Sequence, residues 1–262
     1  MIALLAPGQG SQTEGMLSPW LQLPGAADQI AAWSKAADLD LARLGTTAST
    51  EEITDTAVAQ PLIVAATLLA HQELARRCVL AGKDVIVAGH SVGEIAAYAI
   101  AGVIAADDAV ALAATRGAEM AKACATEPTA LEKLAEDPPA KARVRALGVA
   151  GAFHTEFMAP ALDGFAAAAA NIATADPTAT LLSNRDGKPV TSAAAAMDTL
   201  VSQLTQPVRW DLCTATLREH TVTAIVEFPP AGTLSGIAKR ELRGVPARAV
   251  KSPADLDELA NL

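Results

Sequence analysis

Gly89-His90-Ser91-Val92-Gly93 has the spacing G-x-S-x-G, with a short apolar run, Asp84 to Ala88, before it and a helical pattern from about Glu94 after it. A strand-to-helix turn this tight needs glycine on both sides of the serine and leaves the hydroxyl exposed at the bend. The helix start behind it offers unpaired N–H groups and a favourable dipole to a developing oxyanion. Such a serine suits acyl transfer; a plain strand–helix turn with a capping serine has the same pattern. A nucleophilic serine needs a base, and the chain has four histidines, His71, His90, His154 and His220. His71 falls in a helical stretch ahead of the elbow. His90 adjoins the serine and is expected to shape the turn. His220 ends a helix, where the C-terminal dipole is explanation enough. His154 follows the apolar run Val144 to Ala150, at the end where open α/β sheets place their sites, and is the favoured base.

Two further features could serve the same chemistry. Gly8-Gln9-Gly10-Ser11-Gln12 follows the first apolar run, Ile2 to Ala6. Its glycines allow close approach of backbone N–H groups to a ligand. An oxyanion loop and a plain turn both fit, whereas the phosphate-loop and dinucleotide patterns are missing. Arg116 shares a helix stripe with Ala109, Leu112, Met120 and Ala123. A guanidinium on an apolar stripe is paired internally, points into a cleft, or snorkels to the surface. Its fork matches a carboxylate.

These residues need a scaffold. Strands are expected at Ile2–Ala6, Asp84–Ala88, Val144–Ala150, Thr180–Ser183 and Thr223–Phe228. Helices are expected around Ala26–Ala37, from Pro61 through Leu74, from Glu94, from an Asp107 or Asp108 cap to Ala125, and over Glu156–Ala173, Ala193–Leu204 and Arg209–His220. The alternation predicts an α/β fold with a mostly parallel sheet covered on both faces.

Composition narrows the class. The chain has 262 residues, 51% of them apolar, which is enough for a sizeable core. Its formal charge of −9 argues against a nucleic-acid binder. No apolar run reaches the length of a membrane span and no basic leader precedes the first strand, so a cytoplasmic location is expected. The three cysteines share no C-x-x-C spacing. They read as free thiols, and neither a disulfide framework nor a metal site follows.

Taken together and in order, the motifs resemble those of the malonyl-CoA:acyl carrier protein transacylases, a family shared with the acyltransferase domains of polyketide synthases. Gly8–Gln12 is similar to the family's GQGSQ, Gly89–Glu94 to its GHSxGE, and Gly151-Ala152-Phe153-His154 to its histidine motif. Arg116 falls at its substrate arginine, and Gln203, ahead of Gln206-Pro207-Val208-Arg209-Trp210, at its histidine-orienting glutamine. The resemblance implies a ping-pong malonyl transfer from coenzyme A to the phosphopantetheine thiol of an acyl carrier protein. Ser91 would be the nucleophile, His154 the base, and the backbone N–H groups of Gln9 and Val92 the oxyanion hole. Arg116 would bind the malonyl carboxylate, and Phe153 marks the malonyl variant. It implies a monomer with no permanently bound cofactor, and a local basic patch for the carrier; Arg76-Arg77, Lys83 and Lys239-Arg240 with Arg243 are candidates.

The family inserts a small ferredoxin-like subdomain into a large α/β-hydrolase-like one. Only 38 positions separate Arg116 from His154, too few for the whole insert. The large subdomain is expected over 1–125 and 142–262, with 126–141 a remnant. A polyketide-type acyltransferase, a serine esterase relying on His220, and a non-catalytic carrier-binding module are the alternatives.

Overall fold

The structure, a computed structural model, describes residues 1–126, Asp137 and 151–262. Strand β1 (Ile2–Ala6) has all five residues buried, as a strand covered on both faces requires. It is the middle strand of a five-stranded sheet with β2 (Val85–Gly89), β3 (Thr180–Leu181), β4 (Ala224–Glu227) and β5 (Ala247–Ala249), in the order β3-β2-β1-β4-β5. All four pairings are parallel. Alternate strand residues face opposite layers. Leu4, Val87, Leu181 and Val226 join the larger core, while Ala3, Leu5, Ile86, Ala88 and Ile225 join the smaller one.

The larger layer contains α1 (Ala26–Ala37), the short α2 (Leu41–Leu44) and α3 (Thr50–Thr54), and the long α4 (Thr56–Arg76). It continues with α5 (Gly93–Ile100), α6 (Ala106–Thr126), α7 (Leu162–Ala170) and α8 (Ala193–Ser202). The opposite face is covered by α9 (Trp210–Glu219) and α10 (Thr233–Glu241). No helix among the described residues is long and apolar enough to cross a membrane.

The register matters most for function. Ala6 pairs with Gly89 and Leu5 with Glu227, so β1, β2 and β4 end level. The Gly8–Gln12 loop, the Ser91 turn and the Pro229–Gly232 loop therefore leave the same edge of the sheet. Glu227 organises the last of these: it is fully buried and accepts from the N–H groups of Gly232, Leu234 and Ser235 at 2.8–2.9 Å.

Several expected elements differ. Helix α4 begins at Thr56, with the Asp55 carboxylate accepting from Ala57 N–H at 2.8 Å. Pro61 therefore lies inside the helix rather than at its start. Helix α6 starts at Ala106, and Asp107 sits in its first turn accepting from Trp33 Nε1 at 2.7 Å instead of capping. The expected helix over Glu156–Ala173 divides into a 3-10 segment, Glu156–Ala161, and α7. Pro160, which has no N–H, falls in the first piece. Helix α10, strand β5 and the 3-10 segment Pro253–Asn261 had no counterpart in the sequence expectations. The expected strand Val144–Ala150 lies outside the described residues, as does the 126–141 remnant apart from Thr126 and Asp137.

Replacing Glu227 with alanine would leave three N–H donors without their acceptor, those of Leu234 and Ser235 being buried. Glu227→Ala is expected to destabilise the fold by about 3 kcal/mol or more. Urea unfolding would check this, and a loss below about 1 kcal/mol would contradict the role.

Candidate active site

The elbow is built by close backbone approach. A Cβ at Gly89 would collide with the backbone of Gly93, and one at Gly93 with the carbonyl of Ala6. Between them Ser91 takes φ = 55°, a left-handed conformation that disfavours a residue with a side chain. The preceding loop packs against the same turn, since a Cβ at Gly8 would lie 2.7 Å from the His90 carbonyl oxygen.

His154 also occupies the left-handed region, at φ = 61°. Its Nε2 is 2.7 Å from Ser91 Oγ, and its Nδ1 is 2.8 Å from the backbone carbonyl of Gln203. A carbonyl only accepts, so Nδ1 carries the proton and Nε2 presents its lone pair to the serine in the neutral ring. Among the described residues no carboxylate meets this imidazole; its Nδ1 partner is the Gln203 carbonyl. The histidine that reaches Ser91 is thus His154. His220 forms the C-cap of α9, and His71 stacks edge-on to Phe228 with ring centroids 5.8 Å apart. His90 packs against Trp210 at 5.5 Å, in keeping with a part in shaping the turn.

Behind the pair lies a buried polar network. Arg116 is 1% exposed. It donates through Nη1 to Gln60 Oε1 and through Nη2 to Gln203 Oε1, both at 2.7 Å, and Nη2 is 3.3 Å from Ser91 Oγ. Its Nε is buried with no partner among the described residues. Gln203 therefore serves the site twice: its backbone holds His154, and its side chain joins Arg116 to Glu94, with Nε2 2.5 Å from Glu94 Oε2. Spacing alone offered no sign of Gln60, Glu94 or Asn184 as parts of this network. Glu94 sits two residues past the serine's flanking valine and lines the inside of α5, and Asn184 belongs to a turn remote in sequence.

Burial shifts the charged members. It holds Glu94 up at about 7, against the pull of the Asn184 N–H bond, the Arg116 charge and the Gln203 amide. It brings Arg116 down to about 10, opposed by the Glu94 charge. His154 falls to about 4, through burial first and then the neighbouring guanidinium. The imidazole is consequently neutral, and able to take a proton, across the physiological range.

The Gln9 side chain donates to Thr56 Oγ1 at 3.1 Å. The backbone N–H groups of Gln9 and Val92 make no hydrogen bond among the described residues. Phe153 is half-buried at the margin of the larger core. Of the basic candidates, Arg76 and Arg77 are engaged by Glu73, and Arg77 also by Asp257; Lys83 donates to the Leu262 carbonyl. Lys239, Arg240 and Arg243 form no ion pair among the described residues.

The arrangement can run nucleophilic acyl chemistry beside a buried cation. The description "Acyl transferase domain" fits residues 4–139, just over half of the chain, a span that includes Ser91 and Arg116. The malonyl CoA-acyl carrier protein transacylases of Mycobacterium tuberculosis and Mycobacterium bovis are each 87% identical over 302 aligned positions, covering all of this chain and all of the relative. This chain has 262 residues, which leaves about 40 of those positions without a counterpart. The identical positions number about as many as the chain has residues, so the difference is almost wholly one of length. The crystal structure of MCAT from Mycobacterium tuberculosis aligns with a TM-score of 0.95 at 86% identity, covering 100% of both chains. A malonyl-transacylase solved in complex with a type II PKS acyl-carrier protein aligns at 0.86 with 27% identity, covering 99% of each.

The pH profile of Ser91 acylation by an activated ester tests the electrostatics. With His154 near 4, its acid limb is expected toward about pH 4 rather than near 6.5. Any inflection near 7 belongs to Glu94, and Glu94→Gln should remove it while leaving the low limb. A limb at 6–7 in both proteins would contradict the assignment.

Proposed function

We propose, for a chain that belongs to the malonyl CoA-acyl carrier protein transacylase family, a two-step transfer of malonyl from coenzyme A to an acyl carrier protein through an ester on Ser91. The observation that carries this reading is the 2.7 Å contact between Ser91 Oγ and the proton-free nitrogen of His154. In the first half, His154 takes the hydroxyl proton as Ser91 Oγ attacks the thioester carbonyl. The developing oxyanion is received by the N–H groups of Gln9 and Val92, which make no hydrogen bond among the described residues. As the intermediate collapses, the C–S bond breaks and His154 returns its proton to the departing thiolate. In the second half, the phosphopantetheine thiol gives its proton to His154 and attacks the malonyl ester, and Ser91 leaves reprotonated.

Arg116 is the reader of the malonyl carboxylate. Its Nη groups already rest on neutral acceptors, Gln60 and Gln203, which an anionic oxygen displaces with gain because a charge-assisted bond is the stronger. An acetyl group offers the guanidinium nothing, and Phe153 is the candidate for shaping the space around the acyl chain.

The spacing of the motifs supports placing the roughly 40 positions missing relative to the mycobacterial relatives between Arg116 and His154, within the inserted small subdomain. Grafting the relative's residues there is expected to speed transfer to the carrier more than loading of Ser91. Equal effects on both steps would count against that placement.

The central experiment is intact-protein mass spectrometry after mixing with malonyl-CoA. A single malonyl adduct on Ser91, absent in Ser91→Ala and His154→Ala, is expected. Its absence from the unaltered protein would defeat the reading. Arg116→Ala should lower malonyl loading about 100-fold relative to acetyl loading, the scale of about 3 kcal/mol for a lost charged hydrogen bond. An equal loss for both would remove its role.

A further inference from the structure

Asn184 stands in the turn after β3, is 1% exposed, and grips the elbow from behind. Its Oδ1 accepts from Ser91 N–H at 2.8 Å, and its Nδ2 donates to the Gly89 carbonyl at 2.7 Å. One planar amide thus closes a ring across the bend, from the residue before His90 to the nucleophile. The amide is itself fixed. Asn184 N–H donates to Glu94 Oε1 at 2.7 Å, and its carbonyl accepts from Arg209 N–H at 2.8 Å. Gln203 Nε2 approaches Oδ1 at 3.2 Å.

The peptide on the other side of Ser91 is held too. The Ser91 carbonyl accepts from Glu94 N–H at 2.9 Å and lies 3.2 Å from Gln203 Nε2. In a trans peptide the C=O and N–H point in opposite directions. Tying down the Ser91 carbonyl therefore aims the Val92 N–H the other way. Both peptide planes that flank the nucleophile are clamped by side chains of remote segments, one by Asn184 and one by Gln203.

We infer that Asn184 is a positioning residue for acyl transfer: its carboxamide locks the peptide ahead of Ser91, so that the left-handed serine keeps its hydroxyl on His154 without touching the substrate. The role calls for a donor and an acceptor on one small planar group. A carboxamide supplies both, a carboxylate only accepts, and a protonated carboxylic acid again supplies both. The inference rests on Ser91 being the acylated residue.

That chemistry sets the test. Rapid-quench acylation with malonyl-CoA would be followed in the unaltered protein, Asn184→Ala and Asn184→Asp from pH 5 to 8.5, reading the rate constant and burst amplitude separately. Asn184→Ala should keep the amplitude and the malonyl-CoA concentration dependence while its rate constant falls about 100-fold, the scale of a misplaced reacting group. Asn184→Asp should approach the unaltered rate at low pH, where the acid is neutral, and fall away as it ionises. Glu94 on α5 and the Cys213 thiol on α9 touch Asn184, Arg116 and His154 lie beyond Gln203 and Ser91, and all four are common to the three proteins, so the ratio to the unaltered enzyme isolates residue 184.

A rate constant within about threefold of the unaltered protein in Asn184→Ala would overturn the inference. So would an Asn184→Asp deficit that is the same at every pH, and this second arm decides the matter if the alanine variant does not fold. Failure of the unaltered protein to acquire any adduct would instead strike at the malonyl-serine reading.

Discussion

A serine held at φ = 55° sits in backbone that costs roughly 1–3 kcal/mol to occupy, and the surrounding chain is arranged to keep it there. Gly89 and Gly93 are packed so closely that neither position tolerates a Cβ. Asn184 and Gln203 grasp the peptides on either side. Parallel pairing of β1 with β2, Ala6 level with Gly89, brings the Gly8–Gln12 loop alongside. With the bend fixed, the Ser91 hydroxyl meets His154, another left-handed residue, at 2.7 Å. The contact between the two side chains is therefore set by backbone geometry that neither residue would choose alone.

The second constraint is electrostatic. Arg116 and Glu94 are both fully withdrawn from water, and burial opposes the charged form of each. They share no direct ion pair. The Gln203 amide stands between them, accepting from Arg116 and donating to Glu94. A neutral relay thus gives each buried charge a hydrogen-bond partner without a direct ion pair. Glu94 also fixes Asn184 through its N–H, so the apparatus for charge and the apparatus for the bend share a residue. The same guanidinium helps keep His154 neutral, which couples the buried charge to the imidazole beside Ser91.

Much of this was legible before any coordinates. Gly89 and Gly93 announce the elbow because only glycine fits so tight a strand-to-helix turn. Arg116 announces itself by breaking an apolar stripe. His154 was favoured by its place in the chain. Other parts had no local signature. Helix α10, Thr233–Glu241, has only nine residues, a short window in which to read helical periodicity, and β5 is a three-residue strand with a central arginine. Pro61 read as a helix start because proline is well tolerated there, but the Asp55 cap six residues earlier sets the boundary. Gln203 was expected to orient the histidine, as its backbone does; that its side chain also joins the two buried charges depends on the packing of α8 against α5.

By itself the sequence determined the α/β alternation, the glycine-flanked elbow at Ser91, the preference for His154 among four histidines, and an arginine on an apolar helix stripe. These are matters of residue type and short-range spacing, which local sterics and periodicity express directly. Only the tertiary structure decided the tautomer of His154, the bridging of Arg116 and Glu94 by one amide, and the hold of Asn184 on the bend. Each depends on atoms 49 to 109 positions apart in the chain coming within hydrogen-bonding distance, and such closeness is fixed by strand register and helix packing rather than by any neighbourhood of residues.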